Sequence, residues 1–167
     1  MSSSTLTKYN LTQHPHSIPQ YLLNVDVRRF HVEFLSLTNT GTPVTDINAK
    51  SNVWLKVDLL HEVQGVKGVR LEMQIDWSDS SAEADNIEAG FRPGQLITHP
   101  VNYEGPSSDS ALTCTLDLDI NRPFSFGDII YAITVTRIQE RFYFEDTGGK
   151  YFGCRDFIVI VFKPYIC

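Results

Sequence analysis

Aromatic rings crowd a turn at residues 142–152, "FYFEDTGGKYF", where Phe142, Tyr143 and Phe144 lead into Glu145, Asp146, Thr147, Gly148 and Gly149, and Tyr151 and Phe152 follow. Exposed rings beside carboxylates and backbone amides can cover a flat apolar C–H face, while polar groups at the ring edge take hydroxyls. Tyr143 stands between two phenylalanines in an extended run and so faces opposite to both. Phe142 and Phe144 are therefore read as packing and Tyr143 as available. Tyr151, just past the double glycine, and Tyr103, in "NYEGPSS", are loop rings expected to reach solvent.

Carboxylates come in pairs: Asp117 with Asp119, Asp76 and Asp79 around Trp77, and Glu145 with Asp146. Two facing acids can hydrolyse a glycosidic bond, but a solvated strand face accounts for the first pair and turn chemistry for the others. Of the histidines at 14, 16, 31, 61 and 99, only His14 and His16 are near neighbours, short of the three or four convergent ligands a metal needs. A nucleophile elbow, a glycine-rich phosphate loop and the metalloprotease helix motif are all missing from the sequence. Cys114 falls on the apolar side of its run, where a small buried hydrophobe is expected. With Cys154 and Cys167 it makes an odd set without metal-like spacing, for which reduced thiols are expected. The reading thus names no catalytic residue, no metal and no cofactor, and leans away from an enzyme.

The elements that would position these groups have a period of two. "VWLKVDLL" puts Val53, Leu55, Val57 and Leu59 on one side, and "VRLEMQIDW" and "LTCTLDLDI" alternate in the same way. "HVEFLSL", "QLITHPV", "IIYAITVTRI", "RFYF" and "DFIVIVF" supply further β-branched and aromatic runs. Turns are written in "NTGTP", "QGVKG", "FRPGQ", "NRPFSFGD" and "EDTGGK", and only "SDSSAEADNIEAG" suits a helical turn. Seven to eight short strands predict an all-β, antiparallel, immunoglobulin-like β-sandwich, with a closed barrel as the alternative. Residues 1–20 read as a flexible or surface-draped arm and 21–167 as a single domain. Parity carries Trp77 inward with Met73 and Ile75, towards a core position. Trp54 falls on the polar side with Lys56 and Asp58, as an exposed second patch or a contact with a neighbouring strand or subunit.

The 167 residues suffice for one domain with a real core. A net charge of −6 without a basic cluster argues against nucleic acid and anionic membrane as partners. No apolar run is long enough to span a bilayer, and the polar start lacks the pattern of a signal peptide, so a cytoplasmic setting is expected.

From "VWLKVDLLHEVQGVKGVRLEMQIDW" through "LTCTLDLDINRPFSFGDIIYAITVTRIQERFYFEDTGGKYFGCRDFIVIVF", about residues 50 to 162, the chain resembles the family-21 carbohydrate-binding module. This is the starch- and glycogen-binding sandwich of fungal glucoamylases and of glycogen-targeting subunits of protein phosphatase 1. The family's asparagine-rich turn is replaced here by Asp146, Thr147, Gly148 and Gly149. The resemblance implies lectin-like, non-catalytic binding of a polysaccharide or oligosaccharide of α-glucan type. Trp77 would be the central ring, joined by Tyr143, Tyr151, Asp146 and Tyr103, with Trp54 as a second patch. It also implies a second role, an adaptor holding a protein phosphatase catalytic subunit on glycogen. "RRFHVEF" offers Val32-Glu33-Phe34 as a docking motif, but Phe30 and His31 stand where a basic residue is wanted, and the alternation favours an ordinary strand. A third reading, a hydrolase or cyclase, would need a closed pocket holding paired carboxylates. Pairing of copies would add avidity, although nothing in the residues demands an oligomer.

Overall fold

A computed structural model describes residues 6–35, 53–77, 90–108, 110–118, 124–146, 151–153 and 157–158. Its strands are β1 (Tyr9–Asn10), β2 (Val27–Leu35), β3 (Val53–Val63), β4 (Val66–Ile75), β5 (Phe91–Val101), β6 (Ser110–Asp117), β7 (Tyr143–Asp146) and β8 (Tyr151–Phe152). They form an open antiparallel sheet in the order β6-β2-β3-β4-β5-β7-β8, with β1 added beside β5. The expected all-β, antiparallel architecture of seven to eight strands holds, and it is sandwich-like in that both faces of the sheet centre are covered.

Alternation builds the inner face. Leu55, Val57, Val69, Leu71 and Leu96 are fully buried on it, each contributing about 1.5–3 kcal/mol. The "QGVKG" turn is the two-residue hairpin Gln64–Gly65, with φ of 50° and 82°, the positive angles that match the twist of the flanking strands.

The facing layer corrects one expected strand. "IIYAITVTRI" is not extended: Phe126–Val135 is the helix α2, which follows the short α1 (Gln20–Leu23) and precedes α3 (Ile138–Arg141). Ser125 caps α2, its hydroxyl accepting from the Asp128 N–H while the Asp128 carboxylate accepts from the Ser125 N–H, an arrangement worth about 1 kcal/mol. Phe126, Ile129, Ile130 and Ile133 are buried at helical spacing, so the stripe that seats α2 on the sheet has a period of 3.6. Gly127 permits the close approach to α1, since a Cβ there would lie 2.9 Å from the Leu23 carbonyl oxygen.

The expected arm is corrected as well. From Leu6 onward it is built into the fold: Tyr9–Asn10 pairs with Thr98 and Ile97, and Leu11 and Ile18 are buried in the core. Phe157 and Ile158, from the expected strand "DFIVIVF", are buried in a helical turn, and the Phe157 N–H donates to the Gly153 carbonyl. The helical turn expected in "SDSSAEADNIEAG" lies outside the described residues up to Gly90. Cys114 is exposed rather than buried. It shares the apolar side of β6 with Leu112 and Leu116, also exposed, because β6 is a sheet edge that the core does not reach. No helix among the described residues is long and apolar enough to cross a membrane.

Candidate functional site

The outer face of the sheet carries the chemistry. Register sets Lys56 beside His31 on β2 and Arg70 on β4, Trp54 beside Glu33, and Arg70 beside His99 on β5. Sequence alternation reads this face as solvated, yet Lys56, Asp58 and Glu33 are fully buried and His31 is nearly so. The cover is the segment that follows β5. The Gly105 N–H donates to Asp58 at 3.0 Å, the Ser107 N–H to Glu33 at 3.1 Å, and the Ser110 hydroxyl to Glu33 at 3.0 Å. Tyr103 lays its ring over the Lys56 ammonium, 4.9 Å from the centroid.

Beneath that cover the polar side chains pair with one another. Lys56 Nζ donates to Asp58 Oδ1, and His31 Nε2 lies 2.9 Å from Asp58 Oδ2 while its Nδ1 meets the Thr115 hydroxyl at 2.9 Å. Gly68 makes room for the lysine head: a Cβ there would stand 2.6 Å from the Val57 carbonyl and 3.3 Å from Lys56 Nζ. Burial alone would raise the Asp58 pKa, but the hydrogen bonds from Lys56, His31 and Gly105 outweigh it and hold the carboxyl below its ordinary value. Asp58 and Glu33 spend their lone pairs on protein donors and lie away from open space. They are thus poorly placed to exchange protons with a substrate.

Next to this cluster, Arg70 stacks its guanidinium on the Trp54 ring at 3.5 Å, and His99 Nε2 stands 3.3 Å from the Glu72 carboxylate. Burial pushes the Glu72 pKa up, and contacts from His99, Gln74 and Trp54 bring it net below the ordinary value. Asp58 and Glu72 therefore add stability above their unfolded values of 3.8 and 4.5 and lose it as pH falls through their depressed folded values. Urea midpoints are expected to drop as pH falls below about 5, with a shallower fall in Glu72→Gln; equal slopes for the two proteins would remove Glu72 from this account. Arg70 and His99 also line an open groove of about 690 Å³, together with Lys8, Glu62, Lys67 and Tyr103.

A second feature of the outer face lies at the far end of β5. Phe91 pairs with Glu145, and Pro93 with Tyr143. Because Phe142 and Phe144 are buried, Tyr143 and Glu145 point outward, and their partners Phe91 and Pro93 point with them. Phe91 is 41% and Tyr143 43% exposed. Diagonal neighbours on such a ladder stand roughly 7–8 Å apart, so the two rings and Pro93 make one apolar shelf. Glu145 bounds it, and Gln95 follows Pro93 on the same face, its side-chain oxygen accepting from Asn10 Nδ2 at 2.8 Å.

The six expected site residues thus separate. Tyr143 is on the shelf. Trp77, 69% exposed, lies at the same end of the sheet, next to Asp76, whose N–H donates to the Pro93 carbonyl; strand parity directs it towards the other face. Trp54 is half-buried beneath Arg70, not an exposed patch, and Tyr103 is a half-buried cover over Lys56, not a free loop ring. Asp146 and Tyr151 are partners on the β7–β8 ladder, and their side chains lie outside the described residues. Phe91, Pro93 and Gln95 were missed because "FRPGQ" reads as a turn. Extending the alternation of "QLITHPV" backwards would have found all three on one face.

Other expectations can be placed too. Val32, Glu33 and Phe34 lie in β2, paired on one side with β3 and on the other with β6, which leaves this stretch no free edge for docking. Asp117 is exposed and ion-paired with Arg29; Asp119 lies outside the described residues. His14 and His16 are exposed, and among the described residues no group of three or more potential ligands could hold a metal. No protein-family model, no curated protein and no solved structure matches the chain.

Proposed function

We propose that the protein is a non-catalytic binding module that takes a carbohydrate ring on the Phe91–Pro93–Tyr143 shelf, with an α-glucan as the first candidate from the family-21 resemblance. The observation that carries this reading is the pairing of two half-exposed rings on one sheet face with a carboxylate and a carboxamide beside them. A pyranose has an apolar face for such rings and hydroxyls for the groups at their edge, and aromatic side chains provide this area at small entropic cost. The buried carboxylates support binding over catalysis, because their acceptor capacity is already used by Lys56, His31, Gly105, Ser107 and Ser110.

Electrophoretic retardation in gels containing soluble starch, glycogen or an unrelated polysaccharide tests the reading. Wild-type protein should be slowed by an α-glucan. Each of Tyr143→Ala and Phe91→Ala should weaken the interaction about threefold to tenfold, the scale of one aromatic contact. Trp77→Ala compares the ring expected from the resemblance with the shelf. Free migration of the wild type in every gel would overturn carbohydrate binding.

A further inference from the structure

The groove at the other end of the outer face runs against the charge of the molecule. The chain carries a net −6, yet among the described residues the groove is lined by Lys8, Lys67 and Arg70 against one carboxylate, Glu62, which stands 3.8 Å from Lys67. His99 adds a ring that is nine-tenths buried and held by Glu72. The open groove, about 690 Å³ in volume, has room for a small molecule.

Arg70 is the fixed part of this site. Its guanidinium is pinned face-on to Trp54, which orders the long side chain before any ligand arrives and leaves the edge of the plane for hydrogen bonding. Arg70 Nε is buried with no hydrogen-bond partner among the described residues, so this guanidinium is not spent on a full set of protein acceptors. The cations come from two separate pieces of chain, Lys8 from the segment before β1 and Lys67 and Arg70 from β4, and the His99 ring joins them from β5. Donors converging from several directions suit a tetrahedral oxyanion better than a planar carboxylate, and the arginine fork suits two phosphate oxygens. A polyanion is a poor occupant, because the net negative charge beyond the groove would repel its length.

We propose that this groove binds the phosphate group of a small phosphorylated molecule, with Arg70 as the fork and Lys8 and Lys67 as mobile charges. The assignment is independent of the shelf and of carbohydrate binding there. Inorganic phosphate is the probe, titrated calorimetrically into the full chain near neutral pH, with sodium chloride at matched ionic strength as one control and succinate as another. Saturable phosphate binding that succinate and chloride do not reproduce is expected. Arg70→Gln should weaken it about tenfold or more, the loss of one charge-assisted contact. Should Arg70→Gln not fold, the double variant Lys8→Gln/Lys67→Gln, confined to exposed or half-exposed side chains, should weaken phosphate by a similar factor. Heat that chloride reproduces, equal affinity for succinate, or unchanged affinity in the folded variants would each overturn the proposal. Tyr143→Ala should leave phosphate affinity unchanged, so that failure here and failure of the shelf reading are distinguishable.

Discussion

Replacing Asp58 with Ala is expected to remove about 3–5 kcal/mol of folding stability, the cost of stranding buried charge. Lys56 and His31 both turn to this one carboxylate, with the Gly105 N–H as a third donor, and neither buried side chain can reach bulk water from where the fold places it. Against the 5–15 kcal/mol that holds a typical domain together, a loss of that size leaves little margin. Asp58→Asn, which keeps the volume and one acceptor, should cost less than the alanine. Replacing Lys56 and Asp58 together by Met and Leu should recover much of the loss, because neither member of the ion pair is then left without the other. Urea denaturation of the four proteins checks the order. If the double variant proved no more stable than Asp58→Ala, packing under Tyr103 and around Gly68, not charge, would be what the cluster supplies.

This cluster marks where the sequence stops being legible. The alternation in "VWLKVDLL" assigns Trp54, Lys56 and Asp58 to one face correctly, but periodicity cannot say whether a polar face is wet. Here the answer depends on residues 102–108 and Ser110, which lie far along the chain and fold back over β2 and β3. The error in "IIYAITVTRI" has another cause. Its β-branched residues favour a strand locally, whereas the signal that decides is the Ser125–Asp128 capping pair followed by Phe126, Ile129, Ile130 and Ile133 at helical spacing. Tertiary packing of that stripe on the sheet overrides local propensity. Strict alternation was reliable where it was longest, in β3, β4 and β6. On β6 it still misplaced Cys114, since parity fixes the side of a strand and not whether anything covers it.

Phe144→Ala and Tyr143→Ala, one position apart, are expected to separate stability from binding. Phe144 is almost wholly buried and meets Phe142 edge-on, with ring centroids 5.3 Å apart, while Phe142 in turn meets Phe157 at 5.7 Å. Its removal should cost about 3–5 kcal/mol, the transfer energy of the ring plus the cavity it leaves. Collapse around that cavity is limited by Gly153, where a Cβ would stand 3.0 Å from the Phe142 ring, so the neighbours are already at contact. Tyr143 faces the other way and should change stability by no more than about 0.5 kcal/mol, as surface positions do. If β7 is the rigid edge of a binding shelf, Tyr143→Ala is retarded less in an α-glucan gel while its thermal midpoint stays near that of the wild type. A comparable drop in midpoint for the two variants would mean that Tyr143 is also packed, and the shelf would lose one of its two rings. Loss of stability without loss of binding in Phe144→Ala, measured well below its midpoint, would place the energetic weight of β7 in the core and its recognition on the outer face.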